Sequence, residues 1–302
     1  NSNKMANQDL SALSTDFVKF GGPIMMKEVN AFDAKAQGIM VYKNVKAPIP
    51  LPKISAVGGP RPYRAQDDTS GNGVAWTDRT LTVRQSKWDM DFDPEVFRNQ
   101  YLNDGSENPY YQVALQQIAK EYLAAINDST AYLGQYNAAG TAANDLADGW
   151  GTLIAADIAG AAEITVTATG AITSANAVTK VELVAKSVPV WMRNKGFRVK
   201  VSYDVFDKFL SHYRTLNGFQ YQPNQSGSYK IDGINAILEP ASWMGSSQRI
   251  IAVTDNNLCM GTDGESVTVH ASVRRNIIEV RPMMPIGFQI ADLAAIVVND
   301  QA

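Results

Sequence analysis

The stretch NPYYQVALQQIAKEYLAAINDSTAYLG, residues 108–134, decides how this chain is read. Asn108 stands where a helix N-cap belongs, and Pro109 takes the first helical position, where its missing N–H is an orphan in any case. Tyr111, Leu115, Ile118, Tyr122, Ile126 and Leu133 recur by steps of three, four and seven and form one apolar stripe. Gln116, Gln117, Lys120, Glu121 and Asn127 take the other faces, and Gly134 is the natural stop. At ~1.5 Å per residue the predicted helix is about 40 Å long, which suits a spine supporting a broad, thin subunit.

The segment before the helix has no core of its own. Residues 48–73, PIPLPKISAVGGPRPYRAQDDTSGNG, hold five of the chain's 13 prolines and four of its glycines, which excludes helix and hinders central strands. So long a loop is not an ordinary connection inside a compact domain. SGNG at Ser70–Gly73 does not open a helix, so it is no phosphate-binding loop; it fits the tip of a long hairpin. Beyond it, WTDRTLTVRQSKWDMDFDPEVF alternates over Leu81, Val83 and Gln85, then over Trp88, Met90 and Phe92, predicting a long strand with a break. Asp93 and Pro94 open a short helix through about Leu102. Residues 1 to 47 are weakly patterned, with a breaker at Gly21–Pro23 and one strand-like run, Ile39–Tyr42, and read as an arm.

After the long helix the pattern is mixed α and β. Residues 140–172 are rich in Gly, Ala and Thr, with short strands predicted in AEITVTATGAIT. Ser174 is placed to cap a helix through about Lys186, Phe197–Val201 reads as a strand and Tyr203–Leu216 as an amphipathic helix. Strands are predicted at Tyr229–Leu238 and Arg249–Thr254. SVTVHASVRRNIIEVRP alternates on Val267, Val269, Ala271 and Val273 and resumes on Ile278 and Val280, a slip that predicts a bulge near Arg275. GFQIADLAAIVV closes the chain as a last strand, and no repeat of 20 to 50 residues is visible.

Composition narrows the function. The 302 residues are 45% hydrophobic and 19% charged, enough for a sizeable core. Lys and Arg number 27 against 30 Asp and Glu, and a net charge of -3 lacks the footprint of a sequence-independent DNA binder, so nucleic-acid contact is expected to be weak. Cys259 is the one cysteine, which leaves no disulfide framework or structural zinc. No stretch approaches the ~20 apolar residues of a membrane span, and residues 1–30 lack a signal-peptide pattern, so a soluble protein made inside the cell is expected. Asn1 precedes Met5, so either NSNK lies before a true start or cleavage produced this terminus.

Chemistry-bearing motifs are weak. His212 and His270 have no ligand-like spacing, and Ser246 and Ser247 in MGSSQ lack the second glycine of a nucleophile elbow. Asp89, Asp91 and Asp93 match the first ligands of a calcium loop, but Pro94 stands where the turn glycine belongs and Gln100 where the bidentate Glu belongs. A strand followed by an N-cap explains the same residues. Arg193, Lys195, Arg274 and Arg275 are scattered, which favours solvated faces or intersubunit pairs. No catalytic residue, metal or cofactor is expected, and the chain does not read as an enzyme.

The order of arm, Pro/Gly-rich hairpin, spine helix ending in IND-x(5)-G (Ile126 to Gly134), α/β part and returning strands resembles the major capsid proteins of tailed bacteriophages, the Hong Kong 97-like fold. FRVKVSYDVFDKFLSHYRT (197–215), YKIDGINAILEP (229–240) and RIIAVTDNNLCMGTD (249–263), a strand followed by an N-L-x-x-G-T-D turn, are similar to that family. The likeness covers roughly residues 35 to 298. It implies an α+β fold with an arm (1–44), an extended loop (45–85), a peripheral domain carrying the spine helix (86–139 and 263–302) and an axial domain (140–262). It also implies hexamers and pentamers closing into an icosahedral shell around double-stranded DNA, assembled in the host bacterial cytoplasm and located in the virion. Expected partners are other copies, a portal, and decoration or scaffolding proteins, with no membrane. The loop would lie across a neighbouring copy, where burial offsets its ordering entropy. Pro52, Lys53, Ile54, Arg61, Tyr63, Arg64 and Trp76 are the expected assembly residues, and Tyr111, Leu115, Ile118, Tyr122 and Ile126 line the spine. Some members cross-link through a loop lysine and an asparagine; Lys53 lies in the loop, but no matching asparagine or acid is identified and that chemistry is not carried over. The rival readings are an encapsulin-type nanocompartment shell and a non-shell phage surface or tail protein.

Overall fold

Three sets of extended segments sort by what they bury: two six-stranded sheets and one separate hairpin. The structure, a computed structural model, describes residues 19, 38–57, 73–93, 110–160, 163–217, 228–263, 268–274 and 277–301. The expected arm before residue 38, apart from residue 19, lies outside these residues, as do the hairpin tip, the short helix after Asp93 and the cap at Asn108–Pro109.

In the first sheet β1 (Met40–Tyr42) runs parallel to β11 (Leu258–Thr262), and β11 pairs antiparallel with β13 (Ile277–Ile290). β13 also pairs with β12 (Thr268–Arg274), β4 (Arg84–Lys87) and β5 (Met90–Phe92). Against it lies α1 (Tyr110–Ala125), whose Ala114, Leu115, Ala119 and Tyr122, followed by Ile126, share a core with Val269, Ile278, Val280, Met284, Ile286 and Phe288. Trp88 stacks on Tyr122 with ring centroids 6.0 Å apart. The Tyr122 hydroxyl is bonded to Ser86, which donates to the Met284 carbonyl, and burial pushes the phenol up to about 12.

The helical stripe fails at one place. Ile126–Thr130 is a π turn, closed by Ala131 N–H donating to the Ile126 carbonyl at 3.0 Å. The extra residue in that turn rotates the chain after it, so Ala131 and Tyr132 are buried and Leu133, expected on the stripe, is 67% exposed. Gly134 then passes close to its neighbours: a Cβ there would stand 2.4 Å from the carbonyl oxygens of Thr130 and Ala147.

The second sheet has the order β6 (Thr165–Thr167), β14 (Ile296–Asn299), β10 (Ile251–Val253), β7 (Phe197–Val201), β9 (Ala236–Pro240), β8 (Tyr229–Lys230). Helices α3 (Ala177–Ser187), α4 (Val190–Lys195) and α5 (Tyr203–Asn217) cover one face, joining Val181, Val184, Met192, Val205 and Phe209 to Val199, Leu238, Ala252 and Val297. Ile251, Val253, Ile296 and Val298 alternate to the other face and enter the first core.

Several expectations are corrected. Of the short strands expected in AEITVTATGAIT, β6 forms, but helix α2 (Trp150–Ala159) just before it was not expected, because WGTLIAADIA is apolar nearly all round and has no polar face to mark its period; Trp150 meets Trp243 and Phe288 edge-on at 4.8 and 4.9 Å. α3 begins at Ala177 with Asn176 as its N-cap, so Ser174 does not cap it. The strand expected over 229–238 is the hairpin β8–β9, turned where Gly233 adopts φ 72°. The segment read as an N-L-x-x-G-T-D turn is mostly strand β11; the reversal precedes it, at Asn256 with φ 64°. The bulge expected near Arg275 falls outside the described residues; on either side of it β12 and β13 are antiparallel partners, with Arg274 opposite Ile277.

GFQIADLAAIVV is split between sheets, because a 3-10 turn at Leu293–Ala295, capped by Asp292, separates β13 from β14. The two sheets therefore interleave in sequence: β11, within 140–262, lies in the first sheet, and β14, within 263–302, lies in the second. The strand expected over residues 81–92 is divided among β3 (Gly73–Leu81), β4 and β5. Where β3 hands over to β4, Gly287 passes under Thr82, whose carbonyl oxygen would lie 2.2 Å from an added Cβ. Gly287→Ala is expected to destabilise by ~1–3 kcal/mol through overpacking against backbone, read as a lower urea midpoint; an unchanged midpoint would refute this crossing.

Candidate assembly surface

β2 (Ile49–Val57) and β3 pair antiparallel with each other and, among the described residues, with no third strand, in a register running from Ile49 opposite Leu81 to Val57 opposite Gly73. A two-stranded ribbon leaves each strand an open edge, so Pro50 and Pro52 can lie in β2 without cutting through a sheet.

Alternation gives the ribbon two unlike faces. Leu51 and Lys53 share one face with Arg79 and Leu81; Pro50, Pro52 and Ile54 share the other with Val74, Trp76 and Asp78. The first face belongs to the chain's own body. Leu51 and Leu81 pack on Cys259. Lys53 Nζ lies 2.6 Å from Glu163 Oε2 and 2.8 Å from Asp292 Oδ1. Burial pulls the Lys53 pKa down, but the bonds to Asp292 and Glu163 outweigh it and hold the amine above its ordinary value. Arg79 grips Asp157 with two nitrogens, at 3.1 and 2.8 Å, and donates to Gln289 Oε1 at 2.9 Å. Burial pushes the Cys259 thiol up to about 11, so at pH 8 only on the order of one molecule in a thousand is thiolate. Alkylation of native Cys259 at pH 8 is accordingly expected to be far slower than in the urea-unfolded chain; equal rates would contradict the buried plug.

The second face is bare. Ile54, Val74 and Trp76 are 60%, 62% and 63% exposed, whereas Leu51 and Leu81 are 5% and 0%. Ile54 and Trp76 are direct cross-strand partners, so the exposed apolar surface is contiguous.

The expected assembly residues thus divide. Pro52, Ile54 and Trp76 lie on the bare face; Lys53, expected to reach another copy, is bonded within its own chain; Arg61, Tyr63 and Arg64 lie outside the described residues. Of the spine residues, Leu115, Tyr122 and Ile126 are buried and Ile118 is half-buried, with Ala119 completing the seam; the Tyr111 side chain lies outside the described residues. The anchoring residues Leu51, Arg79, Leu81, Asp157, Glu163 and Asp292 were missed. Period-2 alternation could have found the ribbon half of that set, but no local signal links it to carboxylates 78 and 110 residues away.

The remaining motifs have structural partners. Asp89 pairs with Arg281 and lies 3.2 Å from Lys87. His212 Nδ1 accepts from Val178 N–H at 3.1 Å, and Ser247 Oγ is bonded to the Tyr132 hydroxyl at 3.0 Å. Among the described residues no cluster of three His, Cys, Asp or Glu could hold a metal ion, and no helix is long and apolar enough to cross a membrane.

No family model matches the chain, and no curated protein matches its sequence. Solved structures do match its fold. A chain from the capsid of Myoviridae phage XM1 is 13% identical with a TM-score of 0.55, covering 88% of this chain and 90% of that one. A chain from the procapsid of satellite phage P4 is 12% identical with a TM-score of 0.56, over 87% and 85%. A chain from the SrpI encapsulin complex of Synechococcus elongatus is 11% identical with a TM-score of 0.52, over 88% and 86%. The chain therefore has a shell-protein fold. It is the Hong Kong 97-like fold, common to these phage capsid and encapsulin chains and matched over most of its length.

Proposed function

We propose that this chain is a major capsid protein, which self-assembles as hexamers and pentamers into an icosahedral shell enclosing the double-stranded DNA of a tailed phage. The observation that carries this reading, beyond the fold, is the two-faced ribbon: it is anchored to its own body on one side and presents Ile54, Val74 and Trp76 on the other. An apolar face on a projecting strand pair fits a second copy, where it would be covered. On this reading the first sheet with α1 is the peripheral part and the second sheet the axial part. Contact with DNA is weak and unspecific, and the protein acts structurally rather than as an enzyme.

Purified protein is expected to form closed particles under negative-stain microscopy; a stable monomer in every buffer and concentration would overturn the proposal. The encapsulin reading rests on the similarity to the Synechococcus structure. Nuclease-protected double-stranded DNA in particles from producing cells supports the phage reading, and protein cargo without DNA supports the encapsulin one.

The ribbon offers a finer test. Replacing residues 54–76 by a short Gly/Ser turn removes Ile54, Val74 and Trp76, keeps Leu51, Lys53, Arg79 and Leu81, and should preserve the melting temperature while abolishing particles. A replacement of residues 50–73 also removes Leu51 and Lys53, so it should destabilise the subunit as well. Normal particles from the 54–76 replacement would show that the ribbon is not an assembly element.

A further inference from the structure

The ribbon is held at its foot by directional charges as well as by its apolar plug. Lys53 and Arg79 sit on different strands of the same face. Their acceptors come from two short segments of the body: Asp157 and Glu163 at and after the end of α2, Gln289 and Asp292 at and after the end of β13. Side-chain exposure is 25% for Lys53, 22% for Arg79, 19% for Asp157 and 33% for Asp292, while Glu163 is 69% exposed and is the outermost of the acceptors. Outward of Lys53 and Thr77, no described side chain of the ribbon is buried or ion-paired. Apolar contact at Leu51, Leu81 and Cys259 is non-directional, whereas a two-pronged guanidinium–carboxylate bond fixes an angle.

We propose that Lys53 and Arg79 form an ionic clamp that sets the pitch of the ribbon, so that docking of its outer face onto a second copy depends on two cations that never touch that copy. This rests on the self-assembly reading for its consequence, but the clamp itself is measurable in the free subunit. When the ribbon swings, Leu51 and Leu81 leave Cys259, so the thiol reports the opening.

The experiment compares the full-length chain with Lys53→Gln, Arg79→Gln and the double variant, using an aromatic disulfide reagent on Cys259, thermal unfolding, and particle yield by light scattering and microscopy. The double variant is expected to label about tenfold faster or more, the factor that ~1.4 kcal/mol of lost closure gives, with its unfolding transition retained and its particle yield reduced. Raising salt to about 1 M should accelerate labelling of the parent in the same direction. Unchanged labelling, or acceleration seen only where the whole subunit unfolds, overturns the clamp. Faster labelling with parental particle yield overturns its control of docking. If the double variant does not fold, the same criteria decide on Lys53→Gln alone. A parent that labels slowly yet never forms particles leaves the clamp standing and removes the capsid reading, so the two failures are distinct.

Discussion

Changing Ile54 and Trp76 together to Asp is expected to abolish particle formation while leaving the subunit folded. Both side chains are at least 60% exposed in the single chain, so the fold loses little when they change, within about 0.5 kcal/mol for surface positions. At a contact the balance differs. Burying an apolar side chain of this size contributes ~1.5–3 kcal/mol, and an unpaired carboxylate in its place adds a desolvation cost. Ile54 and Trp76 face each other across β2 and β3, so the two charges would also repel. Because every copy brings one ribbon, the loss recurs at every such contact in a shell. Circular dichroism melts and negative-stain microscopy on the double variant give the answer; particles at the parental yield would sink the assignment of this face to assembly.

The second large effect is expected in the second sheet, where Glu239→Gln should cost ~3–5 kcal/mol of stability by leaving a buried cation without its counter-charge. Lys200 is 1% exposed and its Nζ lies 2.5 Å from Glu239 Oε2; Arg198 pairs with the other oxygen of Glu239 and, at 2.5 Å, with Asp255. Burial pulls the Lys200 pKa below its ordinary value, and Glu239 is the group that most opposes this. Lys200→Met should cost far less. It removes the buried charge itself, keeps most of the side-chain volume, and leaves Arg198 with Glu239 and Asp255. Urea titrations of both variants supply the comparison, and equal destabilisation would refute the electrostatic account of this network.

How far such effects could be foreseen depends on the distance over which each contact acts. Leu115, Tyr122 and Ile126 were legible as one seam because a helix of period 3.6 writes its buried face into residues three and four apart. The hairpin was legible in its prolines and its turn-like SGNG tip. Leu133 was not, since the π turn that exposes it depends on one backbone bond between Ile126 and Ala131 that leaves no mark in the pattern. Helix α2 was hidden because its exposed positions, Ala155, Ala156 and Ala159, are alanines, so no polar face marks its period.

By itself, then, the sequence determined the α+β character, the long helix α1, the ribbon and the resemblance of their order to a capsid fold, all of which rest on interactions within a few residues along the chain. Only the tertiary structure decided that β11 and β14 change places between the sheets, that Lys53 faces its own Glu163 and Asp292, and that Ile54 and Trp76 share the bare face. The pairings of β11 with β1 and of β14 with β6, and the ion pair of Lys53 with Glu163 at 110, join residues 100 or more positions apart, and such partners are chosen by packing of the whole chain rather than by any local period.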